Sequence, residues 1–123
     1  MTIRLVQYGD VDDSDPGGAP AWAITLDTNV PWVIQEPWKN STTMPYPEGV
    51  GADQTRLFHV PRTRVRSARD EGVHRADEIG WDGKVWRVMV ALHAVEMPGI
   101  PWHTSCYCVR VRESDRPAAG FAP

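Results

Sequence analysis

The dipeptide Asp82-Gly83 constrains this chain more than any other feature of it. Both residues tolerate positive φ, which a two-residue hairpin turn needs at both of its central positions. Runs that suit strands flank it, inside a longer stretch from Val73 to Arg112. After the turn, Trp86, Val88, Val90, Leu92 and Ala94 alternate with Arg87, Met89, Ala91 and His93. A period of two places the two sets on opposite faces of a sheet. Met97-Pro98-Gly99-Ile100-Pro101 interrupts the run, and Trp102 to Arg112 reads as a returning strand on which Tyr107, Val109 and Val111 share a face. The spacing predicts a three-stranded antiparallel meander. No residue in it announces a reaction.

A chain of 123 residues is one domain, large enough to bury a core. The sequence suggests a single β-barrel domain over 1–112 and a flexible tail over 113–123, polar at first and then small and proline-ended. Eleven prolines and ten glycines argue for a loop-rich, β-dominated chain, and six tryptophans for a core of large side chains or a surface that packs on partners. The net charge of −3 argues against nucleic-acid binding by bulk electrostatics. Met1 to Val11 carry no basic segment followed by an apolar run, and no apolar stretch approaches the roughly 20 residues of a membrane helix. The expectation is a soluble protein made in a cytoplasm, with no membrane partner. Cys106 and Cys108, at i and i+2 on one strand, would hold their Cβ atoms roughly 6–7 Å apart, whereas a disulfide needs about 3.8 Å. Free thiols are expected.

Ahead of the meander, Ile3 to Tyr8 reads as a short strand, followed by an acidic loop from Gly9 to Pro20 that holds Asp10, Asp12, Asp13 and Asp15. That loop lacks the glycine and the terminal glutamate of an EF-hand, so calcium binding is not expected. Ala21 to Leu26 and Val30 to Gln35 alternate around Asp27-Thr28-Asn29 and suggest a second hairpin, with Pro31 at an edge or a bulge. Glu36 to Arg56 has no periodic pattern, yet it holds Trp38, Met44 and Tyr46. A loop this long in a small domain is functional or disordered. Disordered segments are poor in large apolar groups, so a loop that orders on contact fits better. Leu57 to Val60 reads as a brief strand. Arg62, Arg64, Arg66, Arg69 and Arg75 then supply five of the thirteen basic residues; an extended segment would put Arg62, Arg64 and Arg66 on one side, ahead of one helical turn reaching Glu71.

The chemistry-bearing residues are sparse. His74, His93, His103, Cys106 and Cys108 do not fall at the usual zinc spacings, although His93 and Cys106 could meet across the hairpin. Neither Gly17-Gly18 nor Gly49 and Gly51 has the setting of a phosphate loop, and Ser105 near His103 in sequence does not make a triad. No cofactor, metal or catalytic residue is expected. The arginine cluster is the most informative charged feature. It suits phosphates, a carboxylate-bearing neighbour or a solvated face, and the acidic loop offers a complement that adjacent copies could use head to tail.

The run Ala76-Asp77-Glu78-Ile79-Gly80-Trp81-Asp82-Gly83-Lys84-Val85-Trp86-Arg87-Val88, with the long strand after it and a returning strand ending V-R-V-R, resembles the head-closure (stopper, or head-to-tail joining) proteins of long-tailed bacteriophages. The likeness covers about forty residues, a third of the chain. It implies an all-β fold, a small SH3-like barrel with a long projecting loop, forming a ring in the virion neck below portal and adaptor proteins. Such a ring closes the exit of packaged double-stranded DNA and docks tail terminator or tail tube proteins. Glu36 to Arg56 matches the family's channel loop by length and position. On this reading Trp38, Met44, Tyr46 and Asp53 belong to that loop or to subunit contacts. Arg62, Arg64, Arg66 and Arg69, with Asp10, Asp12, Asp13 and Asp15, meet a neighbouring copy or the DNA. The expected location is the virion neck, after assembly in the host bacterial cytoplasm. Another connector, tail-end or capsid decoration protein, an OB-like nucleic-acid-binding module and a zinc or thiol enzyme are the alternatives.

Overall fold

The hairpin centred on Asp82-Gly83 forms as the turn chemistry requires. In the computed structural model, which describes residues 1–12, 21–70, 75–94 and 102–111, Asp82 and Gly83 adopt φ of 53° and 68°. They join β5 (Glu78–Trp81) to β6 (Lys84–Ala94), and β7 (His103–Arg110) returns alongside. Around this meander lie β1 (Ile3–Asp12), β2 (Ala21–Val30), β3 (Ile34–Glu36) and β4 (Thr55–Pro61). Together they make a seven-stranded sheet in the order β2-β1-β5-β6-β7-β4-β3, and every pairing is antiparallel. The all-β expectation holds. The connection at Met97 to Pro101, His74, Asp13, Asp15 and the tail at 113–123 lie outside the described residues.

The expected turn at Asp27-Thr28-Asn29 is not there. These residues continue β2 and pair with Val6, Leu5 and Arg4. Arg4 grips the Asp27 carboxylate with two hydrogen bonds, of 2.8 and 2.6 Å, so the aspartate serves the ladder instead of breaking it. The chain bends three residues later. Pro31 has no N–H to give a ladder, and Trp32 turns the corner at a φ of 64°. Val33 then exchanges backbone hydrogen bonds of 2.8 and 3.0 Å with Met1, while Ile34 to Glu36 pair with β4. One bent path therefore serves both ends of the strand order and draws the sheet into a curl.

A second departure lies in β6. The register shifts between Val88 and Val90, so Val88 faces Cys108 but Val90 faces Tyr107. The inserted residue reverses the alternation: Trp86 and Val88 enter the core, Ala91 packs against it, and Leu92 is turned outward at 47% exposure. The single face expected for Trp86, Val88, Val90, Leu92 and Ala94 is therefore split at the bulge. On β7 the inward residues are Thr104, Cys106 and Cys108, and Tyr107 and Val109 lie on the opposite face. Both cysteines are free and buried, and burial pushes both thiols upward.

The curl encloses one main core of Ile3, Leu5, Val33, Phe58, Val60, Val65, Ile79, Trp86, Val88, Cys106 and Cys108. Each fully buried aliphatic or aromatic side chain there contributes about 1.5–3 kcal/mol of transfer free energy. Phe58 packs edge-on against Trp81 and Trp86, with ring centroids 5.8 and 6.2 Å apart. β4, a brief strand in the sequence reading, runs Thr55–Pro61 in the interior of the sheet between β3 and β7.

Asp77 fastens the crossing segment after β4 to this barrel. Its Oδ2 accepts from the backbone N–H of Arg66 and from Gln7 Nε2, both at 2.8 Å, and its own N–H donates to Arg66 O at 3.0 Å. Gln7 Nε2 also reaches Arg64 O. Burial pushes the Asp77 carboxyl above its ordinary value of 3.8, against the opposing pull of the Arg66 N–H and the Gln7 amide. Its second oxygen, Oδ1, is buried with no hydrogen-bond partner and can carry the proton at no cost in these contacts. The folded chain thus holds this proton more tightly than the unfolded chain. The contribution to stability is full below the unfolded pKa and is lost as pH rises through the folded one. In urea titrations, Asp77→Ala should cost about 2 to 3 kcal/mol by stranding the Arg66 and Gln7 donors. Asp77→Asn should keep most of the stability and remove the part of its decline above about pH 4 that this group causes. An unchanged pH profile in Asp77→Asn would contradict the assignment.

Candidate interaction surface

The loop from 37 to 51 is tied down by its own aromatic residues. Trp38 is only 2% exposed. Its indole N–H donates to Met44 O at 3.0 Å, and the Tyr46 hydroxyl donates to Trp38 O at 2.6 Å. The Trp38 ring packs edge-on against Tyr46 and against Tyr107 on the outer face of β7, at 5.4 and 5.3 Å. Asn40 Oδ1 and Ser41 Oγ accept from the backbone N–H groups of Tyr46 and Met44. Trp38, Met44 and Tyr46 are thus brought together within one hydrogen-bonded loop. Asp53 stands apart, exposed in the short 3-10 turn Ala52–Gln54. The sequence signal for the anchoring was present in the loop's excess of large apolar residues, but the Tyr107 platform that receives Trp38 comes from far along the chain.

The arginine strip starts where the chain leaves β4. Arg62 has a φ of 50°, and its N–H donates to Trp102 O at 2.9 Å. From there the chain runs extended to the short 3-10 turn Ala68–Asp70. Val65 and Ser67 point inward and are buried, whereas Arg62, Arg64, Arg66 and Arg69 are exposed, the one-sided arrangement expected of an extended segment. Arg66 reaches Tyr8 O at 3.4 Å, and no ion pair is formed by Arg62, Arg64 or Arg69 among the described residues. Asp10 and Asp12 end β1, and Asp13 and Asp15 follow outside the described residues.

The loop and the strip meet at one place. Trp38, Pro45, Tyr46, Pro47, Met89, Val90, Ala68 and Arg69 line an open groove of about 400 Å³ on the outer face of β6. Its walls are aromatic, proline and methionine side chains with a guanidinium at the rim, the residue types enriched at protein interfaces. Trp38 and Tyr46 fall in one candidate group in the sequence and Arg69 in another, and the fold joins them.

The remaining polar groups lie elsewhere. On the outer sheet face, His59 Nδ1 and Ser105 Oγ are 2.9 Å apart, and Glu36 Oε2 lies 3.6 Å from His59 Nε2. The three sit on adjacent strands, where Ser105 opposes His59 and not its sequence neighbour His103. His93 and Cys106 do not meet. His93 is exposed and bonds Thr104 Oγ1 at 2.9 Å, while Cys106 opposes Ala91 and points into the core. Since the Thr104 hydroxyl donates to Thr63 O, it accepts from His93, which fixes the His93 proton on Nδ1. Among the described residues no three His, Cys, Asp or Glu side chains cluster as metal ligands, and no helix is long and apolar enough to cross a membrane. The buried thiols are poor nucleophiles, because burial keeps them protonated.

No protein-family model, curated protein or solved structure matches the chain.

Removing the Trp38 side chain should release the loop. Trp38→Ala should cost about 3 kcal/mol in urea unfolding and open sites between 39 and 50 to limited proteolysis. Tyr46→Phe, which loses only the bond to Trp38 O, should cost about 1 kcal/mol. A Trp38→Ala loop as resistant as that of the parent protein would contradict the anchoring.

Proposed function

We propose that this chain is a structural subunit of a bacteriophage neck, an SH3-like barrel that assembles as a ring below the portal and adaptor, closes the DNA exit channel and docks the tail. The observation that carries the reading is the exposed strip of Arg62, Arg64, Arg66 and Arg69 running into an aromatic groove on a hydrogen-bonded barrel. Such a surface holds a partner by many modest contacts and needs no reacting group. The resemblance of Ala76 to Val88 to head-closure proteins supplies the setting, and that segment contributes β5, the turn and the start of β6. In such a ring the function is mechanical: packaged DNA pushes outward, and identical subunits resist through repeated interfaces.

The anchored loop bears on how the ring would work. Trp38 and Tyr46 fix the loop to their own barrel, so loop 37–51 supplies a shaped wall more than a free plug. A nucleic-acid-binding module of OB-like form is the second reading, favoured by Arg62, Arg64 and Arg69, which form no ion pair among the described residues and run towards aromatic side chains. Salt-dependent binding of single strands by the isolated chain would support it.

Replacing Arg62, Arg64, Arg66 and Arg69 together by Ala should leave the melting temperature within a few degrees of the parent value, since all four side chains are exposed. It should also reduce ring assembly and tail joining at least about tenfold. Normal tail joining by the folded variant would sink the assignment.

A further inference from the structure

The β1–β2 hairpin is built unlike the rest of the barrel. Every residue of β2 from Ile24 to Asn29 is exposed, so neither face of this part of the strand is covered. Ile24 and Leu26 are each 39% exposed. β2 ends the strand order, and among the described residues its outer edge has no partner strand. Natural edge strands are usually blunted by lysine, proline or unpaired charge. Within Ala21–Val30 the only charged residue is Asp27, and Arg4 already neutralises it at 2.6 Å. Beyond Val6 the hairpin leaves β5, and its far part carries Asp10 and Asp12 on a strand that pairs with β2 alone among the described residues. The hairpin thus combines carboxylates with uncovered apolar residues.

The groove beside Trp38 offers the complement. Its walls of Trp38, Pro45, Tyr46, Pro47 and Met89 can receive aliphatic side chains. Arg69 stands at its rim, and Arg62 and Arg64 continue the positive strip. We infer that the β1–β2 hairpin of one copy seats on the arginine-rimmed groove of a second copy, head to tail. Ile24 and Leu26 enter the apolar part, and Asp10 and Asp12 meet Arg62, Arg64 and Arg69. Arg66 is held toward its own chain at Tyr8 O and is not needed. Hairpin and groove use different residues, so each docked copy leaves one of each free. Repetition then gives a closed ring or an open filament and not a simple two-fold dimer. The inference takes its biological setting from the neck reading, but the association itself is a property of the purified chain.

Charge exchange tests it. One variant carries Arg62→Glu, Arg64→Glu and Arg69→Glu; the other carries Asp10→Arg and Asp12→Arg. Sedimentation velocity of the parent chain should show concentration-dependent species larger than a dimer. Each variant alone sets like charges against each other and should associate at least about tenfold more weakly. An equimolar mixture pairs every acidic surface with a basic one in alternating copies, and should return to within about threefold of the parent. Ile24→Ser with Leu26→Ser should weaken association with the charges intact. A parent chain that stays monomeric near about 1 mM overturns the inference, as does a mixture that stays dissociated. Exchanges that lower the melting temperature of the monomer without changing association would place the ion pairs within one chain. A groove variant that assembles like the parent but loses retention on duplex DNA would make the strip a nucleic-acid contact. Finding no copy of the chain in a particle neck removes the setting and leaves the association standing, so the two failures are distinguishable.

Discussion

The rest of the structure depends on one strand turning a corner. β2 pairs with β1 as far as Ile3↔Val30, the chain bends at Pro31-Trp32, Val33 bonds Met1, and Ile34 begins the pairing with β4. Without that bend the seven strands would leave two distant ends and an open core. With it, Val33 joins Phe58, Val60, Ile3 and Leu5 in one cluster. A non-glycine residue at positive φ costs about 1–2 kcal/mol, and Trp32 is also 82% exposed. The side chain gives nothing back to the core, so this position is set by the path of the backbone and not by its own packing.

The curled sheet in turn decides which outer surfaces are finished and which are not. Trp38 and its loop cover the face around Tyr107, whereas the row Ile34, His59, Ser105 and Leu92 across β3, β4, β7 and β6 stays open, with Ile34 at 64% exposure. Asp77 holds the crossing segment in place from inside, and that fixed backbone lets Val65 and Ser67 point in while the arginines between and after them point out. The buried carboxylate is thus one of the contacts, with Gln7 to Arg64 O and Val65 in the core, that set which side chains face out. A strip of exposed guanidinium groups on a mobile segment would pay a larger ordering cost on binding.

Much of this was legible in the sequence. Turn chemistry at Asp82-Gly83 gave the hairpin because both residues meet a local demand, and the alternation of Arg62 to Arg66 gave the exposed strip because parity is also local. The failures came where a distant partner intervened. Asp27-Thr28-Asn29 has turn composition, but Arg4 on the neighbouring strand recruits Asp27 into the ladder. The bulge between Val88 and Val90 leaves no mark in residue types, yet it reverses the facing of Leu92. The groove was invisible for the same reason: Trp38, Arg69 and Met89 are far apart in the chain, and only the fold brings them together.

In the proposed role this fold is gripped by copies of itself in a phage neck. A density map of an assembled particle tests it most directly. A ring of density between portal and tail is expected, into which this fold fits with the groove beside Trp38 covered by the adjoining subunit. A neck whose density is fully explained by other chains, or a ring in which that groove faces solvent, would contradict it.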